Sequence, residues 1–296
     1  MHRRLFQSFG SAAGMSGPAL AAPAVGFLLV FLIVPLAAML LYSVSARVAG
    51  GVLVPAFTLE NYARIFTNDL YLRFVIRTLR VALTTTLLCM ILSYPLALIL
   101  AHGNRTFARI TMLILVAPLL VNLVIRSYGW TIVLNTRGLL NWLIASVGLP
   151  VPGQILYSEA AVVIGCAHLF LPLMVLPLAA AIIRIEPSIM DCGRVFGASE
   201  FRVFCHIVLP LSLPGLAAGS ALVFPLTAGA YVTPALLGGN FASLLGNLIE
   251  QQVVAASNWP FGAALATLLV AILLLVNLIF LKLFERKTAR WVHRGR

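Results

Sequence analysis

The chain has 296 residues, of which 61% are hydrophobic and only 9% are charged, and its formal net charge at pH 7 is +12. A soluble domain of ordinary composition has about 25% charged residues, so this chain has too few of them to cover a soluble surface. Its hydropathy excludes a disordered chain, and its four scattered cysteines exclude a disulfide-rich scaffold. The composition is that of a protein with several membrane spans.

Six apolar stretches are long enough to cross a bilayer, because a spanning helix needs about 20 mostly apolar residues. The charged residues fall mainly between these stretches and leave long charge-free runs. The sequence therefore predicts an all-α membrane domain over residues 21–284, preceded by a tail at 1–20 and followed by a basic tail at 285–296. The six predicted spans cover residues 21–44, 77–101, 108–130, 160–183, 207–231 and 260–283.

The basic residues indicate how these spans are oriented, because cytoplasmic connections carry an excess of Lys and Arg. Most of the 20 basic residues lie before the first span, after the last span, and in the second and fourth connections. With six spans both termini lie on one side, so the rule places both in the cytoplasm. Arg73, Arg77 and Arg80 weaken this assignment because they fall on the other side.

Several kinds of chemistry are absent from the sequence. The only two lysines, Lys282 and Lys287, end no GxxxxGK[ST] loop, and the isolated cysteines and histidines predict no metal site. Basic residues do not interleave with aromatics on a polar stretch, so we expect no nucleic-acid partner. An integral-membrane enzyme is disfavoured because no cluster of nucleophile, base or metal ligands is present.

The positions of the acidic residues bear on the energy source. All eight lie in connections between the predicted spans. An ion-coupled secondary transporter usually buries a carboxylate near the middle of the membrane, so this class is the alternative that the sequence disfavours. We expect another subunit to supply energy for any uphill transport.

The fourth connection, residues 184–206, has the local chemistry of a helix, a break and a second helix. Pro187 prevents the preceding span from continuing, and Ser188 with Asp191 three residues later resembles a capping box. Gly197 is a natural break. We therefore expect one short helix on each side of Gly197.

The second short helix is expected to begin with Ser199 as its cap and Glu200 in its first turn. The connection also carries more large apolar side chains than a small solvated loop needs. Exposed patches of this kind usually mark a contact with another protein, and a helix lying flat in the lipid interface is the alternative. These apolar residues are Phe196, Phe201, Val203 and Phe204.

This connection resembles the EAA loop of binding-protein-dependent ABC importer permeases, whose pattern is EAA, three residues, Gly, nine residues and then I-x-L-P. Residues 191–193, Asp-Cys-Gly, stand in place of EAA. Four positions match at the expected spacing, namely Gly197, Ile207, Leu209 and Pro210. Four further segments resemble the spermidine/putrescine branch of the family, at residues 122–130, 209–215, 231–239 and 258–262.

The resemblance implies a type I importer (MetI-like) permease fold in a multi-pass protein of the bacterial inner membrane that is not itself an enzyme. It implies two copies of a separate ATPase subunit that bind ATP and magnesium, a second permease subunit forming a heterodimer, and a periplasmic solute-binding protein. The solute would be a polyamine or a related amine, moved by alternating access. The residues expected to couple to the ATPase are Ser188, Asp191, Gly193, Phe196, Gly197, Ala198, Ser199, Glu200, Phe201, Phe204 and Pro210.

Polyamines are cations that bind carboxylates or aromatic faces, and the outer side of the predicted bundle offers both. Each such residue is also an ordinary helix end or interfacial anchor. Arg126 does not suit a purely cationic path, so either it pairs with an acid or it contacts an anionic or zwitterionic solute. The pathway candidates are Asn122, Arg126, Tyr128, Trp130, Glu159, Tyr231 and Glu250.

Three further features concern packing. Small residues over 215–220 give the fifth span a face for close helix contact, and we hypothesise that its neighbour is partly the second permease subunit. His168 is expected to be packed and hydrogen-bonded, and residues 139–145 to form a short outer helix. The spans also contain prolines that are either hinges for alternating access or ordinary kinks, namely Pro35, Pro95, Pro118, Pro172, Pro177 and Pro225.

Overall fold

A computed structural model describes residues 17–46, 54–150 and 153–293. The predicted tails at 1–20 and 285–296 lie partly outside this range. The chain is helical apart from a small antiparallel sheet that pairs β1 (Ser45–Ala46) with β2 (Val54–Phe57). The helices are α1 (Gly17–Ser43), α2 (Glu60–Thr67), α3 (Asp69–His102), α4 (Arg105–Leu120), α5 (Leu123–Leu134), α6 (Leu139–Ser146), α7 (Glu159–Ile183), α8 (Pro187–Val195), α9 (Glu200–Val203), α10 (Leu209–Ala228), α11 (Val232–Leu237), α12 (Leu245–Glu250) and α13 (Trp259–His293).

Among the described residues, five helical stretches are each long and apolar enough to cross a membrane: α1, α3, α7, the continuous stretch of α9 and α10, and α13. The bent pair of α4 with residues 123–146 brings the number to six when it is counted as one span, as the sequence predicts. α3 begins at Asp69, well before the predicted start at 77. α13 runs past 283 to His293, because its interior contains no Gly or Pro after Gly262.

The third predicted span, a continuous helix over 108–130, is wrong. α4 ends at Leu120 and α5 begins at Leu123, and the direction of α4 differs by 107° from that of residues 123–146. Val121 has an extended backbone, and the Asn122 Oδ1 accepts a hydrogen bond from the Val124 N–H at 2.8 Å. An N-cap of this kind starts a new helix, so Asn122 is occupied in ending one helix and beginning another.

α3, α7 and α10 form the centre of the bundle. The small-residue face of α10 lies against α7: a Cβ added at Gly215 would lie 2.5 Å from the Ala181 Cβ, and one at Gly219 would lie 2.6 Å from the Met174 Sδ. The expectation of close packing is confirmed. The neighbour at Gly215 and Gly219 is α7 of the same chain, and the hypothesis that the neighbour of this face is partly the second permease subunit stays a prediction.

We call residues 184–206 the elbow. The end of the bundle where the elbow lies is the elbow end, and the other end is the opposite end. α7 reaches the elbow end at Ile183, and α10 leaves it. At the opposite end α12 joins α3 through a hydrogen bond from the Leu245 N–H to the Thr78 Oγ1, at 2.8 Å. α1 is the peripheral span, because none of its apolar window is buried and its main contact is with α13.

Gly215→Ala should lower the free energy of unfolding by about 1–3 kcal/mol, because the new Cβ would also lie 2.6 Å from the backbone oxygen of Pro177, which cannot move aside. Gly26→Ala in α1 is the matched control, since a Cβ there meets nothing within 4 Å. The midpoint of thermal unfolding of the purified protein checks this. Equal midpoints for the two variants would contradict the packing of α10 on α7.

Candidate functional site

The elbow has the predicted order of helix, break and helix. α8 ends in a Schellman motif: the Gly197 N–H donates to the Arg194 oxygen at 2.9 Å, and the Ala198 N–H donates to the Gly193 oxygen at 3.1 Å. Gly197 has φ +81°, the left-handed region that favours glycine. Ser199 then caps α9, its Oγ accepting from the Arg202 N–H at 3.4 Å.

The predicted capping box of Ser188 and Asp191 is wrong. α8 begins two residues earlier, with Pro187 in its first turn and Glu186 as an N-cap that makes no side-chain hydrogen bond. Proline suits this position because it has no N–H to leave unsatisfied. Ser188 and Asp191 therefore lie inside the helix, where Asp191 has a different partner.

That partner is Arg194, which contacts Asp191 within α8 and Glu200 across the break. Its Nη1 donates to the Asp191 Oδ1 at 2.7 Å, its Nε to the Glu200 Oε1 at 2.7 Å, and its Nη2 to the Glu200 Oε2 at 3.1 Å. We call this trio the clamp. The hydrogen bonds from Arg194 hold the pKa of the Glu200 carboxyl below its usual value, and those to Glu200 and Asp191 raise the pKa of Arg194.

The apolar residues of the elbow divide between two faces. Phe196 and Phe201 expose 90% and 77% of their surface, and Val195, which the sequence analysis did not single out, exposes 85%. We call these three the apolar tip. Val203 is buried, and the Phe204 ring packs edge-on against Tyr94 at 5.2 Å between centroids. Only part of the predicted apolar set is therefore available to a partner.

The inner face of the elbow is tied to the spans. Beyond Phe204, a Cβ added at Gly193 would lie 3.0 Å from the Ile207 Cδ1, and Ala198 packs against the main core. A π-helical turn over Phe204–Val208 connects α9 to α10, and Pro210 is buried in the first turn of α10. Movement of the elbow is thereby linked to α3 and α10.

Two of the pathway candidates line one cavity. It has a volume of about 620 Å³, is open to the surface, and lies between α4, α5 and α7 with Arg126, Trp130 and His168 in its wall. The Trp130 Nε1 donates to the His168 Nδ1 at 3.2 Å, so His168 is hydrogen-bonded as predicted. The sequence did not place His168 among the pathway candidates. It lies on α7, and no local pattern relates it to Trp130.

Arg126 contacts a backbone carbonyl, and its contact with an anionic or zwitterionic solute stays a prediction. Its Nη1 donates to the backbone oxygen of Pro118, near the end of α4, and it makes no ion pair within the described residues. Arginine near a helix C-terminus compensates its exposed carbonyls and dipole. Arg126 therefore helps to hold the bend between α4 and α5.

The other pathway candidates do not join this cavity. Glu159 lies 3.3 Å from the Arg77 Nε and 3.5 Å from the Arg80 Nη1, so its charge is shared with α3. The remaining candidates lie elsewhere. Asn122 caps α5, and Tyr128 and Glu250 are exposed. The backbone oxygen of Tyr231 accepts a hydrogen bond from the Asn247 Nδ2 at 2.7 Å.

The fold is that of type I ABC importer permeases. The chain superposes with a TM-score of 0.69 on a chain of a bacterial ABC transporter involved in the import of alginate, at 17% identity and covering 90% of this chain and 94% of that one. For the methionine ABC transporter MetNI the TM-score is 0.56 at 18% identity, covering 73% and 95%.

Sequence comparison identifies the family. The pattern described as "Binding-protein-dependent transport system inner membrane component" matches residues 93–290, and the chain belongs to this family of non-catalytic ABC importer permease subunits of the inner membrane. It is 34% identical over 265 residues to the spermidine/putrescine transport system permease protein PotB of Haemophilus influenzae, covering 88% of this chain and 92% of that protein. PotB of Escherichia coli K12 is 34% identical over 257 residues, covering 86% and 93%. The resemblance drawn from the EAA-like loop is confirmed.

Gly197→Val should destabilise the Schellman motif that ends α8, because a left-handed backbone costs a residue other than glycine about 1–2 kcal/mol. The space around Gly197 is open, so the effect is conformational and not steric. Hydrogen exchange of the amides of residues 197–198 should accelerate roughly tenfold, as about 1.4 kcal/mol implies. Gly197→Asn is the matched control, since Asn tolerates this conformation. Equal exchange in the two variants would contradict the motif.

Proposed function

We propose that this chain is one of two permease subunits of a polyamine importer and that an ATPase subunit docks on its elbow. The observation that carries the proposal is the apolar tip, which presents two exposed phenylalanines on a segment otherwise tied to the bundle. Burying an aromatic side chain removes about 150–250 Å² from water. A groove that covers Phe196 and Phe201 would therefore be stabilised by several kcal/mol, at about 25 cal/mol per Å².

The clamp favours a protein partner over a lipid surface. Arg194, Asp191 and Glu200 lie within the same exposed turn as the apolar tip and pair with one another. Inserting this turn among acyl chains would remove water from three charged groups, which is costly. A protein groove with a polar rim accepts the apolar tip and leaves the charges hydrated.

Docking requires the elbow end, and with it both termini, to lie in the cytoplasm. The arginines that weaken this orientation in the sequence are partly neutralised, because Arg77 and Arg80 both pair with Glu159 at the opposite end. The connections at the elbow end are rich in arginine, which agrees with the positive-inside rule. Within the described residues, Arg194 pairs with two acids and the other arginines there form no ion pair. The arginines of these connections are Arg105, Arg109, Arg184, Arg194 and Arg202.

In this arrangement two ATPase subunits bind ATP and magnesium, and this chain binds neither. Closure of the ATPases would move the elbow as a unit. The packing of Phe204 on Tyr94 and the hydrogen bond of 3.2 Å between the hydroxyls of Tyr94 and Ser212 would carry that movement into α3 and α10. The cavity at the bent span would then open alternately to the two sides, receiving solute from a periplasmic binding protein.

The solute assignment rests on the relatives named for spermidine and putrescine, and on Trp130, whose ring can contact an ammonium group. Among the described residues, none that lines the cavity is acidic. Carboxylates for a polyamine would have to come from a second permease subunit with a different lining, which favours a heterodimer over a pair of identical chains.

The docking proposal is tested by the pair Phe196→Ser and Phe201→Ser in one variant. We expect co-purification of the ATPase subunit to fall at least tenfold, about 1.4 kcal/mol or more, because the apolar contact is lost. The control is Phe241→Ser, which removes an equally exposed phenylalanine, 77% accessible, outside the elbow. Retained ATPase and intact ATP-dependent uptake in the double variant would contradict docking on the elbow.

The pathway proposal is tested by Trp130→Ala in proteoliposomes that contain the complete complex and the binding protein. ATP-dependent spermidine uptake should fall several-fold, in line with about 0.5–2 kcal/mol for a cation–aromatic contact. Trp130→Phe keeps the aromatic face and should retain most of the uptake, and Trp142→Ala removes an exposed tryptophan of α6 as a control. Uptake that is unchanged in Trp130→Ala, or driven by an ion gradient without the ATPase, would contradict the proposal.

A further inference from the structure

The clamp crosses the junction between α8 and α9, after the backbone hydrogen bonds that end α8. The hydrogen bonds of the Schellman motif end at Ala198, and Ser199 is extended with ψ 158°. In the part of the chain that the structure describes, the ion pair of Arg194 with Glu200 is the side-chain bond that crosses from α8 to α9. On the buried side the same two helices approach closely, because a Cβ added at Gly193 would lie 3.4 Å from the Val203 Cγ2.

These two connections constrain different movements. Met190 and Val203 are buried and hold the inner edges of α8 and α9 against the core. Arg194 and Glu200 are on the exposed side, with 46% and 74% of their side-chain surfaces accessible, and hold the outer edges. Without the outer connection, α9 and with it Phe201 could tilt relative to α8 about this buried approach without disturbing the core.

We infer that Arg194 is a positioning residue, which fixes the angle between α8 and α9 so that the elbow transmits the movement of the ATPase to the spans. This inference rests on the proposed docking of an ATPase on the elbow. A lone exposed ion pair contributes little to global stability, but a two-pronged arginine–carboxylate pair extended by a second carboxylate also fixes geometry. The arginine is suited to this because its planar group meets both oxygens of Glu200 and still reaches Asp191.

The competing explanation is that Arg194 binds an acidic group of the ATPase directly. The two explanations differ when the charges are exchanged. In the double variant Arg194→Glu with Glu200→Arg, the introduced arginine again faces a carboxylate across the break, at position 194. An internal clamp is restored by this exchange, whereas a direct contact with a partner acid is not.

The experiment uses the complete complex in liposomes and measures spermidine transported per ATP hydrolysed. Arg194→Gln should lower this ratio by about threefold or more while ATPase co-purification stays within about twofold of the parent. Arg194→Lys should recover part of the ratio, and the charge exchange should recover more than half. The control is Arg202→Gln, an exposed arginine of α9 that forms no ion pair in the described part of the chain.

A second readout does not depend on transport. Hydrogen exchange of the amides of residues 199–203 should be faster in Arg194→Gln than in the parent and should return towards the parent rate in the exchanged pair. An unchanged transport ratio, unchanged exchange, or an exchanged pair no better than Arg194→Gln would each overturn the inference. Failure of the docking proposal is recognised separately, by retention of the ATPase in the variant that lacks Phe196 and Phe201.

Discussion

The left-handed turn at Gly197 is the constraint on which the elbow depends. It reverses the chain within a few residues, satisfies the last carbonyls of α8, and leaves the apolar tip at the outside of the turn. The opposite face of the same segment is buried against α3 and α10 through Val203 and Phe204. A small segment can transmit force only if its two faces are held at a fixed distance, and the turn, the clamp and the buried face together supply that rigidity.

A second chain break, between α4 and α5, is stabilised in a related way. Asn122 caps the new helix, and Arg126 donates to the carbonyl of Pro118 on the other side of the bend. Both breaks therefore combine a capping residue with an arginine that reaches across them. In a bilayer every backbone polar group needs a partner, so a bent span is tolerated where side chains take over the lost hydrogen bonds. The cavity beside Trp130 and His168 exists because the span bends there.

Local signals in the sequence were sufficient for five of the six spans and for the break in the elbow, and insufficient for the bend in the third span and for contacts between distant helices. Hydropathy locates six spans, and Gly197 with Ser199 specifies the break, because each acts within one turn of backbone. The capping box failed since Pro187 moves the helix start ahead of Ser188. The small residues of α10 indicate a close neighbour but not which helix it is, and the pairing of Trp130 with His168 joins positions 38 residues apart. The pairing of Glu159 with Arg77 and Arg80 is beyond local signals for the same reason, since both arginines lie on another span.

The chain is thus an ABC importer permease in which the elbow, with its apolar tip outside and Val203 and Phe204 packed inside, is proposed to move as one unit. The most direct test of its proposed role is to place a photo-crosslinking amino acid at Phe196 in intact membranes and identify what it captures. The comparison site is Phe241, which lies outside the elbow and is as exposed as Phe201. The account predicts that position 196 is joined to an ATPase subunit and that position 241 is not. Capture of lipid alone at position 196, or of a protein on the periplasmic side, would contradict it.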